Sequence, residues 1–131
     1  MLEQNNGKKP KKYAGILAHP TSFPSPYGIG DLGPGAYQFI DFLAASGLNL
    51  WQVLPLGHTG FGDSPYQPFS AFAGQPLIID IDYLRKKKLL LDEDFSAMPD
   101  WDPEKIDYGT LIEFKTGLLK KAYERFIDAD Y

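Results

Sequence analysis

Between positions 50 and 76 the chain reads LWQVLPLGHTGFGDSPYQPFSAFAGQP, a stretch that mixes flat aromatic rings with short hydrogen-bonding side chains. Phe61, Tyr66, Phe69 and Phe72 are interleaved with Asp63, Ser64, Gln67 and Ser70. This mixture suits a pyranose, whose C–H faces pack on rings while its hydroxyls pair with carboxylate, amide and hydroxyl groups. A loop of this length inside a compact domain is either functional or disordered. Disordered tracts lack aromatics, so the residues predict a carbohydrate site.

Other chemistries fit less well. Glycoside cleavage needs two carboxyls flanking the scissile bond. The candidates on the same face are Asp31 and Asp63, and neither has a neighbouring acid in sequence to tune it, so no catalytic role is assigned. Asp31 reads as a loop or cap residue. Gly28, Gly30 and Gly33 match GxGxxG letter for letter. That fingerprint must follow directly on a strand, whereas here the prolines at 20, 24 and 26 intervene, and no acid stands about twenty residues on to take a ribose hydroxyl. The glycines are expected to serve tight turns. Ser64 has half of a nucleophile elbow, but Pro65 removes the following N–H and no histidine follows it in this sequence, so a serine nucleophile is not expected. His19 and His58 without a carboxylate pair make a poor metal site. His19 is expected to be a buried imidazole bonded to backbone, His58 a loop residue, and Trp51 a core residue. Neither cofactor nor metal is expected.

The elements that must position the loop follow from hydrophobic period and punctuation. Residues 13–18, YAGILA, read as a buried strand and residues 50–54 as a second. Between them lie a loop at 19–33 and a helix opened by Pro34, whose missing N–H costs nothing at that place. Ala36, Phe39, Ile40, Leu43 and Ala44 form its packing stripe, and Gly47 is placed to stop it in the left-handed conformation. The result is a parallel β–α–β unit with a right-handed crossover expected. Both long loops leave the C-terminal ends of strands, the face that carries ligands in barrels and in open α/β sheets. Further on, residues 77–81 are expected as a third short strand, Asp82 as the cap of a short helix, 92–103 as irregular chain, and Asp107 as the cap of a helix over 108–127.

Composition sets the bounds. The chain has 131 residues, enough for a core of its own. With 44% hydrophobic and 15% aromatic residues it is globular. A net charge of −4 gives no reason to expect nucleic acid. The lysines at 8, 9, 11 and 12 fall in a polar leader, residues 1–12, expected to be disordered. No apolar run approaches the roughly 20 residues of a membrane span, no signal-peptide core is present, and there is no cysteine. A cytoplasmic protein is expected.

Four blocks carry a family resemblance: His19-Pro20-Thr21-Ser22-Phe23-Pro24; Pro26-Tyr27-Gly28-Ile29-Gly30-Asp31-Leu32-Gly33; Trp51-Gln52-Val53-Leu54-Pro55-Leu56-Gly57; and Gly62-Asp63-Ser64-Pro65-Tyr66-Gln67. In this order and spacing they resemble the N-terminal region of the amylomaltases, the 4-α-glucanotransferases or disproportionating enzymes. Ser70-Ala71-Phe72-Ala73-Gly74 with Pro76, and Asp107-Tyr108 followed by Lys115, extend the likeness beyond them. The resemblance implies an α/β fold, a partial (β/α)8 barrel made of its first two βα units over 13–81, with the start of an inserted helical subdomain over 82–131. It implies transfer of α-1,4-glucan segments between maltodextrins by a retaining double displacement without a cofactor. The family's catalytic carboxylates lie on later barrel strands, so the chain is expected to be an N-terminal piece, inactive alone, whose partners are α-1,4-glucans and the remaining C-terminal part of such an enzyme. Ser64 and Tyr66 match the family's sugar contacts, with Asp63 and Gln67 in the same loop. Phe61 stands where some members place a tyrosine of a secondary glucan site. His58 and Gln75 replace a proline and an asparagine common in the family. The alternatives are a non-catalytic glucan-binding domain and a nucleotide-binding module built on Gly28, Gly30 and Gly33.

Overall fold

The computed structural model describes residues 12–58, 70 and 72–129. Two strands, β1 (Gly15–Leu17) and β2 (Leu50–Gln52), pair in parallel with Ile16 opposite Trp51. Both are shorter than the apolar runs that predicted them. Between them lies α1 (Pro34–Ala45), with proline in its first turn and Gly47 beyond its end at φ 71°. The left-handed residue lets the Gly47 N–H reach the Ala44 carbonyl, and Leu48 N–H then reaches Leu43. The chain turns at once into β2, as the sequence predicts.

Period-2 alternation divides each strand. Ile16 and Trp51 are half-buried, while their neighbours Leu17 and Leu50 are exposed. Trp51 belongs to an aromatic cluster, 5.3 Å from Phe39 of α1 and 5.7 Å from Phe23, with Phe23 and Phe39 5.0 Å apart. Of the predicted α1 stripe, Ala36 and Leu43 are buried, whereas Ile40 and Ala44 are exposed.

Two expectations are corrected past Pro76. Residues 77–81 form no strand: Pro76–Ile78 is a 3-10 turn, and Ile81 already opens α2 (Ile81–Lys86). Leu77, Ile78 and Ile81 are buried through helical packing rather than a ladder. The cap of α2 is Asp80, whose carboxylate accepts from Tyr83 N–H, not Asp82. The irregular segment at 92–103 also holds a 3-10 turn, Asp92–Phe95. The last helix, α3 (Tyr108–Asp128), starts on Asp107 as predicted, the carboxylate accepting from Thr110 N–H.

The core has two parts. Tyr27, Ile81, Leu90, Leu118 and Ala122 form one cluster, and Ile29, Leu77 and Leu111 form the other. Each combines a residue of the loop after β1 with α3, so that loop is built into the hydrophobic core. A buried carboxylate, Asp94, joins the 3-10 turn to α3 through a forked pair with Arg125, with Lys121 at 3.2 Å and the Leu91 N–H at 2.8 Å.

Candidate functional site

The loop after β1 is shaped by hydrogen bonds within itself. His19 caps the 3-10 turn Pro20–Ser22: its Nδ1 accepts from Thr21 N–H at 3.4 Å and lies 2.7 Å from the Thr21 hydroxyl. That contact matches the expected backbone bond, but Nε2 is buried with no hydrogen-bond partner among the described residues. Gly30 N–H then returns to the Thr21 carbonyl. A side chain at Gly30 would place Cβ 2.1 Å from the Pro20 carbonyl oxygen, and Gly28 holds φ 79° with the Trp101 ring 2.6 Å from where a Cβ would stand. Turn geometry and close approach thus account for the GxGxxG pattern, and the loop runs through a proline-rich turn before reaching α1.

The loop after β2 is clamped at its base. Gly57 and Gly74 form an antiparallel bridge, and Gln75 N–H donates to the Leu56 carbonyl at 2.8 Å. The Gln75 side chain caps the turn Pro76–Ile78. Ser70 Oγ accepts from the N–H groups of Phe72 and Ala73, leaving the Phe72 ring 99% exposed. The predicted sugar-binding residues Phe61, Asp63, Ser64 and Tyr66 lie outside the described residues, as do the leader 1–11 and Gln67. The clamp shows where their loop is anchored: it leaves β2 through Leu56 and Gly57 and returns beside them at Gly74 and Gln75.

The two loops are fastened to each other. Leu32 N–H donates to the Ile78 carbonyl at 2.9 Å. Asp31, read from sequence as an isolated acid, is instead 6% exposed and surrounded by charge. One carboxylate oxygen accepts from Gly33 N–H, and the other lies 3.8 Å from the Lys115 ammonium of α3. Burial raises the Asp31 carboxyl above its ordinary range, Lys115 opposes that, and Asp80 and Asp82 reinforce it. Burial likewise lowers Lys115, to about 8, against the pull of Asp31 and Asp80. A buried carboxylate paired in this way is a structural group. Sequence reasoning noted Lys115 only as part of the family likeness and gave it no role, because an apolar stripe hides a lysine whose stem packs like a hydrocarbon.

A further fork lies beneath. The buried Tyr27 hydroxyl donates to Asp82, and Arg85 reaches the same hydroxyl and Asp92. Burial raises the Tyr27 phenol, so it stays a donor. Residues 21–26, 28–30 and 98–106 line an open cleft of about 620 Å³ that includes Phe23, Trp101, Asp100 and Lys105. Among the described residues no group of three histidines, cysteines or carboxylates could hold a metal, and no helix is long and apolar enough to cross a membrane.

The family model described as 4-alpha-glucanotransferase matches residues 18–130. The 4-alpha-glucanotransferase of Synechocystis sp. is 47% identical over 116 residues, which are 88% of this chain and 23% of that protein. The enzyme of Thermus thermophilus is 49% identical over 112 residues, 86% of this chain and 22% of the relative. The chloroplastic/amyloplastic 4-alpha-glucanotransferase of Solanum tuberosum is 44% identical over 125 residues, 92% of this chain and 21% of its own length. Among solved structures, an amylomaltase from Streptococcus agalactiae in complex with acarbose superposes with a TM-score of 0.83 at 43% identity, covering 90% of this chain and 24% of that one. The chain therefore spans less than a quarter of the length of these relatives, and the likeness extends to their α/β fold. It takes in both motif loops, the clamp between them and the buried lysine of α3. On these grounds the chain belongs to the 4-alpha-glucanotransferase family.

Proposed function

We propose that the protein containing this segment transfers α-1,4-glucan segments from one maltodextrin to the 4-hydroxyl of another, by a retaining double displacement. In this reading residues 13–81 supply the first two βα units of a (β/α)8 barrel, and 82–131 open an inserted helical subdomain. The catalytic carboxylates belong to barrel strands beyond these units. The segment contributes substrate contact: Tyr66 packs a glucose unit and directs its hydroxyl to it, Ser64 adds a hydrogen bond, Asp63 holds the loop, and Phe61 offers a stacking face at a secondary site. The setting is the cytosol.

The observation that carries the reading is the family match across residues 18–130, which includes the aromatic loop anchored at the end of β2. The strands support the barrel. Parallel sheets are normally covered on both faces, yet here Leu17 is 56% and Leu50 49% exposed on the side away from the Trp51–Phe39 contact. Apolar residues on that side suit the interior of a closed barrel.

Incubating the whole enzyme that contains this segment with maltotriose tests the proposal, the expected products being glucose and longer maltodextrins. Tyr66→Ala should lose about 2–4 kcal/mol of transition-state stabilisation, the worth of a packed aromatic anchor, at an unchanged melting temperature. Glucan binding without products would favour the non-catalytic binding domain. Wild-type turnover in Tyr66→Ala would remove the role assigned to that ring.

A further inference from the structure

We infer that Lys115 is a positioning residue for glucan binding: one buried ammonium ties the loop after β1 to the end of the loop after β2. The inference rests on the glucanotransferase reading above and adds a residue to it.

The geometry is specific. Lys115 is 0% exposed, on a helix whose other buried positions are apolar. Its ammonium donates to the Leu77 carbonyl at 2.7 Å, just past the clamped base of the aromatic loop. It also stands 3.8 Å from Asp31, midway through the motif Gly28-Ile29-Gly30-Asp31-Leu32-Gly33. Asp31 in turn holds Gly33 N–H, at the point where the loop enters α1. A single charge thus connects both loops of the strand ends to α3. Burying a lysine costs several kcal/mol unless it is paired, and a leucine would fill the stripe more cheaply. The retained charge fits a group that fixes the spacing of two loops.

The charged groups acting on it are Asp31 from the loop after β1 and Asp80 at the cap of α2, while Asp82 within α2 acts on Asp31 in turn. All three are acids, so loss of the lysine proton leaves a buried carboxylate uncompensated beside two others. Desolvation brings that proton within reach, near pH 8. The folded value lies below the 10.5 of an unfolded lysine, so the folded state sheds the proton first, and between these values global stability rises rather than falls. The chain stays folded while the tie between the loops loses its charge. The effect therefore appears as weaker substrate binding without any fall in melting temperature.

The test uses the whole enzyme and maltotriose, with kcat and KM measured either side of pH 8. The wild type should show KM rising roughly fivefold or more across that range, the size of an ordinary coupling between sites, while the melting temperature does not fall. Lys115→Met/Asp31→Asn removes both charges together, so no buried ion is left alone. This double variant should have a raised KM with no step near pH 8, and the kcat profile of the wild type. A wild-type KM flat across that range would overturn the inference, as would a double variant that keeps the step. Absence of transfer at every pH would instead overturn the functional reading, and with it this role for Lys115.

Discussion

Gly28→Ala should destabilise the chain by an amount that depends on Trp101. The residue holds φ 79°, where an L side chain costs about 1–2 kcal/mol. The new Cβ would also stand 2.6 Å from the Trp101 ring, well inside contact distance. The ring cannot simply slide away, because it packs edge-on against Phe114 at 5.7 Å and against the cluster of Ile29, Leu77 and Leu111. Overpacking of this kind costs about 1–3 kcal/mol, so the expected total is roughly 2–5 kcal/mol. A double-mutant cycle separates the parts. In a Trp101→Ala background the clash disappears and Gly28→Ala should cost only the backbone part, about 1–2 kcal/mol. Urea unfolding followed by far-ultraviolet circular dichroism gives all four corners without relying on tryptophan emission. An equal cost in both backgrounds would refute the steric argument, and no cost in either would refute the turn geometry as well. Protection of the wild type by a nucleotide, lost in Gly28→Ala, would revive the phosphate-binding alternative for these glycines.

Three further outcomes are expected. Gly117 lies inside α3 with nothing within 4 Å of the place a methyl group would take, so Gly117→Ala should stabilise by about 0.5–1 kcal/mol in the same urea assay. The forked hydrogen bonds of Arg125 hold the Asp94 carboxyl well below its ordinary 3.8, so its contribution is present above that pH and is lost as pH falls through the depressed value. Melting temperature against pH should show Asp94→Asn less stable than wild type at neutral pH, with the gap closing in acid; a constant gap would mean that the pairing is not what Asp94 contributes. In the transfer assay Ser64→Ala should cost about 1 kcal/mol, one hydrogen bond, and so less than Tyr66→Ala; the reverse order would shift the substrate contact from ring to hydroxyl.

Much of the architecture follows from local signals. Pro34 and Gly47 bracket α1, Asp107 opens α3, and the short apolar runs at 13–18 and 50–54 hold β1 and β2. Each depends on one or two residues and a period, so neighbours in the chain suffice to specify it. The parallel pairing follows as well, because a helix of this length with a short return leaves β2 no antiparallel approach. The family motifs are equally visible, since they are runs of adjacent residues.

Tertiary structure decided the rest. The run at 77–81 has a composition that fits a strand or a buried helix segment. Leu77 and Ile81 are drawn into the clusters with α3, and the Ile78 carbonyl is taken by Leu32 N–H, so a 3-10 turn and a helix win. With the helix starting at Ile81, the cap falls to Asp80 and Asp82 is freed to receive the Tyr27 hydroxyl. Asp31 and Lys115 are far apart in the chain and each looks ordinary alone. Only packing α3 across the two loops brings the ammonium to the carboxylate, and only burial gives that meeting its electrostatic weight, because in water the same pair would scarcely interact.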